Sequence, residues 1–119
     1  MKEIYYYLYD RNKKPVITFC LGYKDGTMAK GVAICSKKDN PCKKYGRKEA
    51  RNRVLEALGT KKSNKQVFRN RAKVVMCSIP KWYNYFDDVD NYYKSQFNVK
   101  PSNEFEKKLF KMIGGTNGA

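Results

Sequence analysis

Not one of the 119 residues is histidine. That removes at once the usual general base near neutral pH and the commonest metal ligand. The four cysteines (Cys20, Cys35, Cys42, Cys77) form no Cys-x-x-Cys pair, so a structural zinc site of ordinary spacing is not expected. No apolar run is long enough to cross a bilayer, and Met1-Lys2-Glu3 leads into Tyr-rich alternation rather than a signal-peptide core. A cell interior is the expected compartment, and its cysteines are expected to be reduced. Acidic residues are scarce, 11 against 26 Lys plus Arg, for a net charge of +15. Such an excess points to a polyanionic partner or an anionic small molecule. A lysine-rich chain from an AT-rich genome is also basic for no functional reason, and charge speaks to partners rather than to fold.

What is present is enough to fold. The hydrophobic fraction is 41%, with ten Tyr and six Phe, an aromatic content that disordered chains lack. The length suits one domain able to bury about two-thirds of its surface. Ile4–Tyr9 reads as a strand with Ile4, Tyr6 and Leu8 on one face. Val16–Tyr23 reads as a second, with Ile17, Phe19 and Leu21 inward. Asp25-Gly26 is a hairpin signal, and Met28–Cys35 follows as a third strand. A helix is predicted from about Lys43 to Leu58, stopped by Gly59, with Ala50, Val54, Ala57 and Leu58 on one face. On that wheel Arg53 lies at the edge of the buried face, across the small-residue stripe from Arg47 and Arg51.

The region from Thr60 to Ala72 reads as a basic loop with a short helix around Gln66–Arg69. Lys73–Ile79 reads as a fourth strand and Trp82–Phe86 as an aromatic loop. Asn103 and Glu106 have capping-box spacing and open a last helix with Phe105, Leu109, Met112 and Ile113 on one face. The fold class is therefore α+β: a small antiparallel sheet of about four strands with two main helices. It forms a single domain over residues 1–113, with a flexible tail at 114–119.

Catalysis finds little support, so no catalytic residue is assigned. No cysteine has a neighbouring base to make it a nucleophile. Asp87, Asp88 and Asp90 could hold a divalent cation, but a solvated acidic patch at a helix start is the commoner arrangement, and no metal or cofactor is expected. Anion binding finds more. Between residues 37 and 73 stand fourteen Lys or Arg against three acids. Arginine grips phosphate through a planar fork of donors. Gly31 permits close backbone approach, whether of a ligand or of a packed neighbour. Trp82, Tyr83, Tyr85 and Phe86 either stack on a base or close a core or an interface.

Two segments carry a resemblance. Residues 30–36 read Lys-Gly-Val-Ala-Ile-Cys-Ser, and residues 46–53 read Gly-Arg-Lys-Glu-Ala-Arg-Asn-Arg. This strand and the helix opening Gly-Arg-x-x-Ala-x-x-Arg resemble the first class of Thoeris anti-defence proteins of phages. The second half of the chain is similar only in outline. The resemblance implies a sponge rather than an enzyme, acting in the cytoplasm of the infected bacterial host. It would sequester cyclic ADP-ribose signals such as glycocyclic ADP-ribose, and in some members cyclic oligonucleotides, as a homodimer or larger homo-oligomer. Carried over, Arg47 and Arg53 would clamp the pyrophosphate. Trp82, Asn84 and Phe86 would meet the base, and Lys107, Lys108 and Lys111 would add charge. Lys30, Gly31, Val32 and Ala33 would form a second nucleotide site, although Lys30 stands where arginine is expected and loses the bidentate geometry. The alternative readings are a basic nucleic-acid-binding phage protein and an inhibitor of a bacterial defence nuclease.

Overall fold

The computed structural model describes residues 1–9, 12–34, 42–66, 93–102 and 104–114. In chain order these form β1 (Lys2–Tyr9), β2 (Pro15–Lys24), β3 (Thr27–Ile34), α1 (Lys43–Thr60), β4 (Asn64–Gln66), β5 (Tyr93–Phe97) and α2 (Glu104–Met112). The strands make one antiparallel sheet in the order β1-β2-β3-β5-β4. It has four main strands and a three-residue rim in β4. The architecture is α+β, as the sequence leads one to expect.

The first three strands form a meander held by local turn chemistry. Asp25 and Gly26 both have positive φ, 52° and 80°, the pair of left-handed residues that a two-residue hairpin of the primed type requires. The turn sets Lys24 opposite Thr27 and carries the register to Ile17 opposite Ile34.

Both faces of the sheet are covered, each by one helix. Ile17, Phe19 and Leu21 of β2 and Met28 and Val32 of β3 join Leu109 and Phe110 of α2, with Ile113 just beyond it, in the larger core. The alternate residues, Cys20, Ala29 and Ala33, join Ala50, Val54 and Ala57 of α1 in the second. β2 is therefore buried from Val16 to Gly22, and its near-continuous apolar run reflects two covered faces rather than one.

Several sequence expectations change here. α1 runs through Gly59 to Thr60, and the left-handed cap is Lys61, whose N–H donates to Ala57 O at 2.8 Å. Of the short helix expected around Gln66–Arg69, Gln66 instead ends β4, which pairs with β5, and residues 67–69 lie outside the described residues. On α2 the buried residues are Glu106, Leu109 and Phe110, joined by Ile113 just past its end, while Phe105 and Met112 are exposed. The predicted strand at 73–79, the aromatic loop at 82–86, the aspartates at 87–90, and Asn103 and the last five tail residues lie outside the described residues.

Candidate functional site

Lys30 lies inside the fold. Its side chain is 1% exposed and its Nζ sits 2.6 Å from Glu106 Oε2. The same carboxylate accepts the Tyr6 hydroxyl, and its other oxygen accepts the Ser102 N–H at 2.9 Å. The Phe19 ring lies 5.0 Å beneath the ammonium. Burial alone would raise the Glu106 carboxyl, but the Lys30 charge and these hydrogen bonds outweigh it and hold it below its ordinary value. Glu106 thus acts in part as the capping-box residue the spacing suggests, although its backbone partner is Ser102.

The expected second nucleotide site is corrected accordingly. Val32 is 0% and Ala33 4% exposed, so with Lys30 committed to Glu106 the segment offers no side chain to an outside ligand. Gly31 is explained by packing. A Cβ built there would lie 1.9 Å from Ala50 O, in the backbone of α1. The stripe of small residues, with Gly22 under Val54 and Gly46 against Thr18, lets the helix backbone approach the sheet. The neighbour it admits is α1.

Arg53 sits where the wheel placed it, at the border of the buried face, with its side chain 14% exposed. Its guanidinium donates to the Val32 carbonyl and to Glu49. β5 pairs with β3 only through Ala29, Lys30 and Gly31, so Arg53 meets a strand carbonyl beyond that pairing. Desolvation lowers its pKa, opposed by the charges of Glu49 and Glu56. Six residues separate Arg53 from Arg47, which sets them about 120° apart around the helix. One copy of α1 does not close both on a single pyrophosphate.

Arg47 belongs to an arrangement that the sequence reading missed. Tyr5, Tyr7 and Tyr9 alternate along β1 on the face toward α1, where Lys43, Arg47 and Arg51 recur every fourth residue. Lys43 Nζ lies 4.7 Å from the Tyr7 ring centroid and 5.5 Å from that of Tyr9. Arg47 donates to the Tyr7 hydroxyl at 3.1 Å. Arg51 donates to Glu3 at 3.2 Å, and the Tyr5 hydroxyl donates to the same residue at 2.6 Å. Two strand residues rise about 6.6 Å and four helical residues about 6.0 Å, so the rungs stay in step. The signal was in the sequence as a period of two in one segment and of four in another, but only the topology sets them side by side.

The remaining candidates are dispersed. Lys107, Lys108 and Lys111 are exposed on α2, across the sheet from α1. Trp82, Asn84 and Phe86 lie outside the described residues. A groove of about 410 Å³ opens between the β2–β3 turn and the end of α1, over Leu55, Leu58 and Phe97 with Lys24 and Lys61 at its rim. Neither Arg47 nor Arg53 lines it. Among the described residues no acidic or cysteine cluster could hold a metal ion, and no helix is long and apolar enough to cross a membrane.

The two described cysteines differ in kind. Burial, then the charge of Glu3, pushes the Cys20 thiol up to about 12. The exposed Cys42 precedes α1, and the backbone N–H groups of Tyr45 and Lys44 lower its pKa. Thiolate is the reactive form. Brief alkylation with iodoacetamide at neutral pH, read by peptide mass mapping, should modify Cys42 and leave Cys20 intact until the protein is unfolded. Equal labelling of the two in the native state would contradict this packing. Scans of protein-family models, of curated proteins and of solved structures find nothing that matches this chain.

Proposed function

We propose that the protein binds and sequesters a small cyclic nucleotide of the cyclic ADP-ribose type, as a phage anti-defence sponge, without cleaving it. The observation that carries this reading is Arg47, a half-exposed guanidinium whose direction is set by the Tyr7 hydroxyl. An arginine oriented before binding loses less side-chain freedom on meeting a phosphate. The resemblance of residues 30–36 and 46–53 supports the ligand class, and the charge of +15 supports its sign. In one copy Arg47, Arg53 and the α2 lysines do not converge. The pocket is therefore completed by a second copy of the chain, in a homodimer or larger homo-oligomer.

Calorimetry with cyclic ADP-ribose isomers tests this, followed by heat release and chromatography of the ligand. The expected result is micromolar or tighter binding and recovery of intact nucleotide. A hydrolysed product would sink the sponge and reinstate an enzyme. Arg47→Ala should weaken binding by about 1.5–3 kcal/mol, the worth of a charge-assisted hydrogen bond. Arg53→Ala is the less clean variant, because it also uncovers the Val32 carbonyl.

A further inference from the structure

The tyrosines of β1 and the cations of α1 carry an inference beyond a compact ligand. We propose that the Tyr7–Tyr9 and Lys43–Arg47 end of this ladder is a binding surface for single-stranded polynucleotide. Proteins that take single strands combine a cationic track for the backbone with aromatic side chains on which bases stack. Here the two are interleaved and in register. Lys43 spans the rings of Tyr7 and Tyr9, whose centroids are 6.2 Å apart, and Arg47 is fixed by Tyr7. Exposed Lys44 and Lys48 extend the charge along the same turns of α1, and the first turn of the helix holds no acidic residue.

The other end is closed. Glu3 takes both Arg51 and the Tyr5 hydroxyl, so its negative charge faces any phosphate that would reach that rung. The footprint is therefore short and starts at Tyr9. A phosphate draws Lys43 off the rings, because an exposed cation–π contact is weaker than a charge-assisted hydrogen bond. The ring face left behind then accepts a base. Bases seated on rungs about 6.6 Å apart require a strand opened to about twice its stacked rise of 3.4 Å. A single strand extends that far, whereas a duplex would first have to unstack. This surface is independent of the residues at 82–86 on which base recognition of the cyclic ligand rests.

Fluorescence anisotropy with a fluorescein-labelled oligothymidylate of twelve nucleotides, against a duplex of equal length, tests the proposal at several salt concentrations. The expected result is tighter binding of the single strand. Lys43→Ala should lower the salt slope by about 0.7, one phosphate contact. Tyr9→Ala should weaken binding at least about fivefold with the slope unchanged, while Tyr9→Phe, which keeps the ring, binds as wild type. Lys24→Ala and Lys62→Ala, exposed at the opposite end of α1 from Lys43, should change affinity less than about twofold. The proposal is overturned if the oligothymidylate fails to bind at low salt. It is equally overturned if the duplex binds as tightly and the Lys24 and Lys62 variants lose as much as Lys43→Ala, since the surface would then be one of generic charge.

Discussion

Lys30→Met should destabilise the protein by about 3–5 kcal/mol in urea or guanidinium unfolding, the cost of leaving one member of a buried pair without its partner. Glu106 would keep the Tyr6 hydroxyl and the Ser102 N–H but lose the Lys30 ammonium at 2.6 Å. For a domain whose total stability is about 5–15 kcal/mol, that is a large share. Replacing both partners, Lys30→Met with Glu106→Leu, should recover part of the loss, because the pair's attraction largely offsets its own desolvation while the Tyr6 hydroxyl and the Ser102 N–H lose their acceptor. A single variant costing under about 1 kcal/mol would mean that the ammonium reaches water.

The pH dependence has a definite sign. Glu106 is held below its ordinary value of 4.5 in the folded state. Its contribution to stability is fully present above about pH 4.5 and is lost as pH falls through the depressed folded value. Without Lys30, burial is opposed only in part, by the Tyr6 and Ser102 hydrogen bonds, and the variant is relieved by protonation of the carboxyl. The gap between wild type and Lys30→Met should therefore be widest near neutral pH and narrow toward acid. A gap that widens on acidification would assign the pair wrongly.

Gly31→Ala is the second large effect. The added methyl would meet the backbone of α1 at 1.9 Å from Ala50 O, with the Val54 nitrogen at 3.0 Å. Neither is the end of a flexible side chain, so the helix itself must lift. Overpacking of this kind costs about 1–3 kcal/mol and more where backbone moves, and a loss of at least about 2 kcal/mol is expected. Gly59→Ala makes the opposite case. Nothing lies within 4 Å of a methyl there, the residue is helical, and the change should stabilise by about 0.5–1 kcal/mol. Thermal melts of the two variants side by side separate space from chemistry. Equal shifts would show that the contact between α1 and the sheet is looser than described.

These two positions also mark where the sequence stopped being legible. The meander was readable because its signals are local: alternation in β1, and Asp25-Gly26 for the turn. The small face of α1 was readable because Ala50, Val54 and Ala57 recur at helical spacing. Gly31 was seen as a place for close approach, but nothing local says whether ligand or helix approaches. Lys30 alternates with apolar neighbours like a core residue, yet a lysine is almost never fully buried unless paired. Its partner lies 76 residues away, beyond any pattern along the chain. β5, Tyr-Lys-Ser-Gln-Phe, carries too few apolar residues to announce a strand, and its Ser95 is buried only because its hydroxyl reaches Glu56 at 2.9 Å. Of the candidate residues, Arg53 lies at the border of the buried face, as the helical wheel places it, and Arg47 lies on the flank turned to β1. Their divergence, and the tyrosines beside Arg47, depend on which strand the helix covers.

Arg53 has one more consequence, for the behaviour of the protein in a crowded solution. Among the described residues, β3 continues beyond Gly31 to Ile34 past those that β5 pairs. Unpaired strand carbonyls are templates on which a second chain can add itself. The guanidinium on the Val32 carbonyl occupies one such acceptor and plants a charge at that rim. A newcomer strand would have to displace that hydrogen bond and strip water from the charge before it could pair. The residue that looked most like a hand for phosphate would thereby raise the cost of adding a strand at that rim.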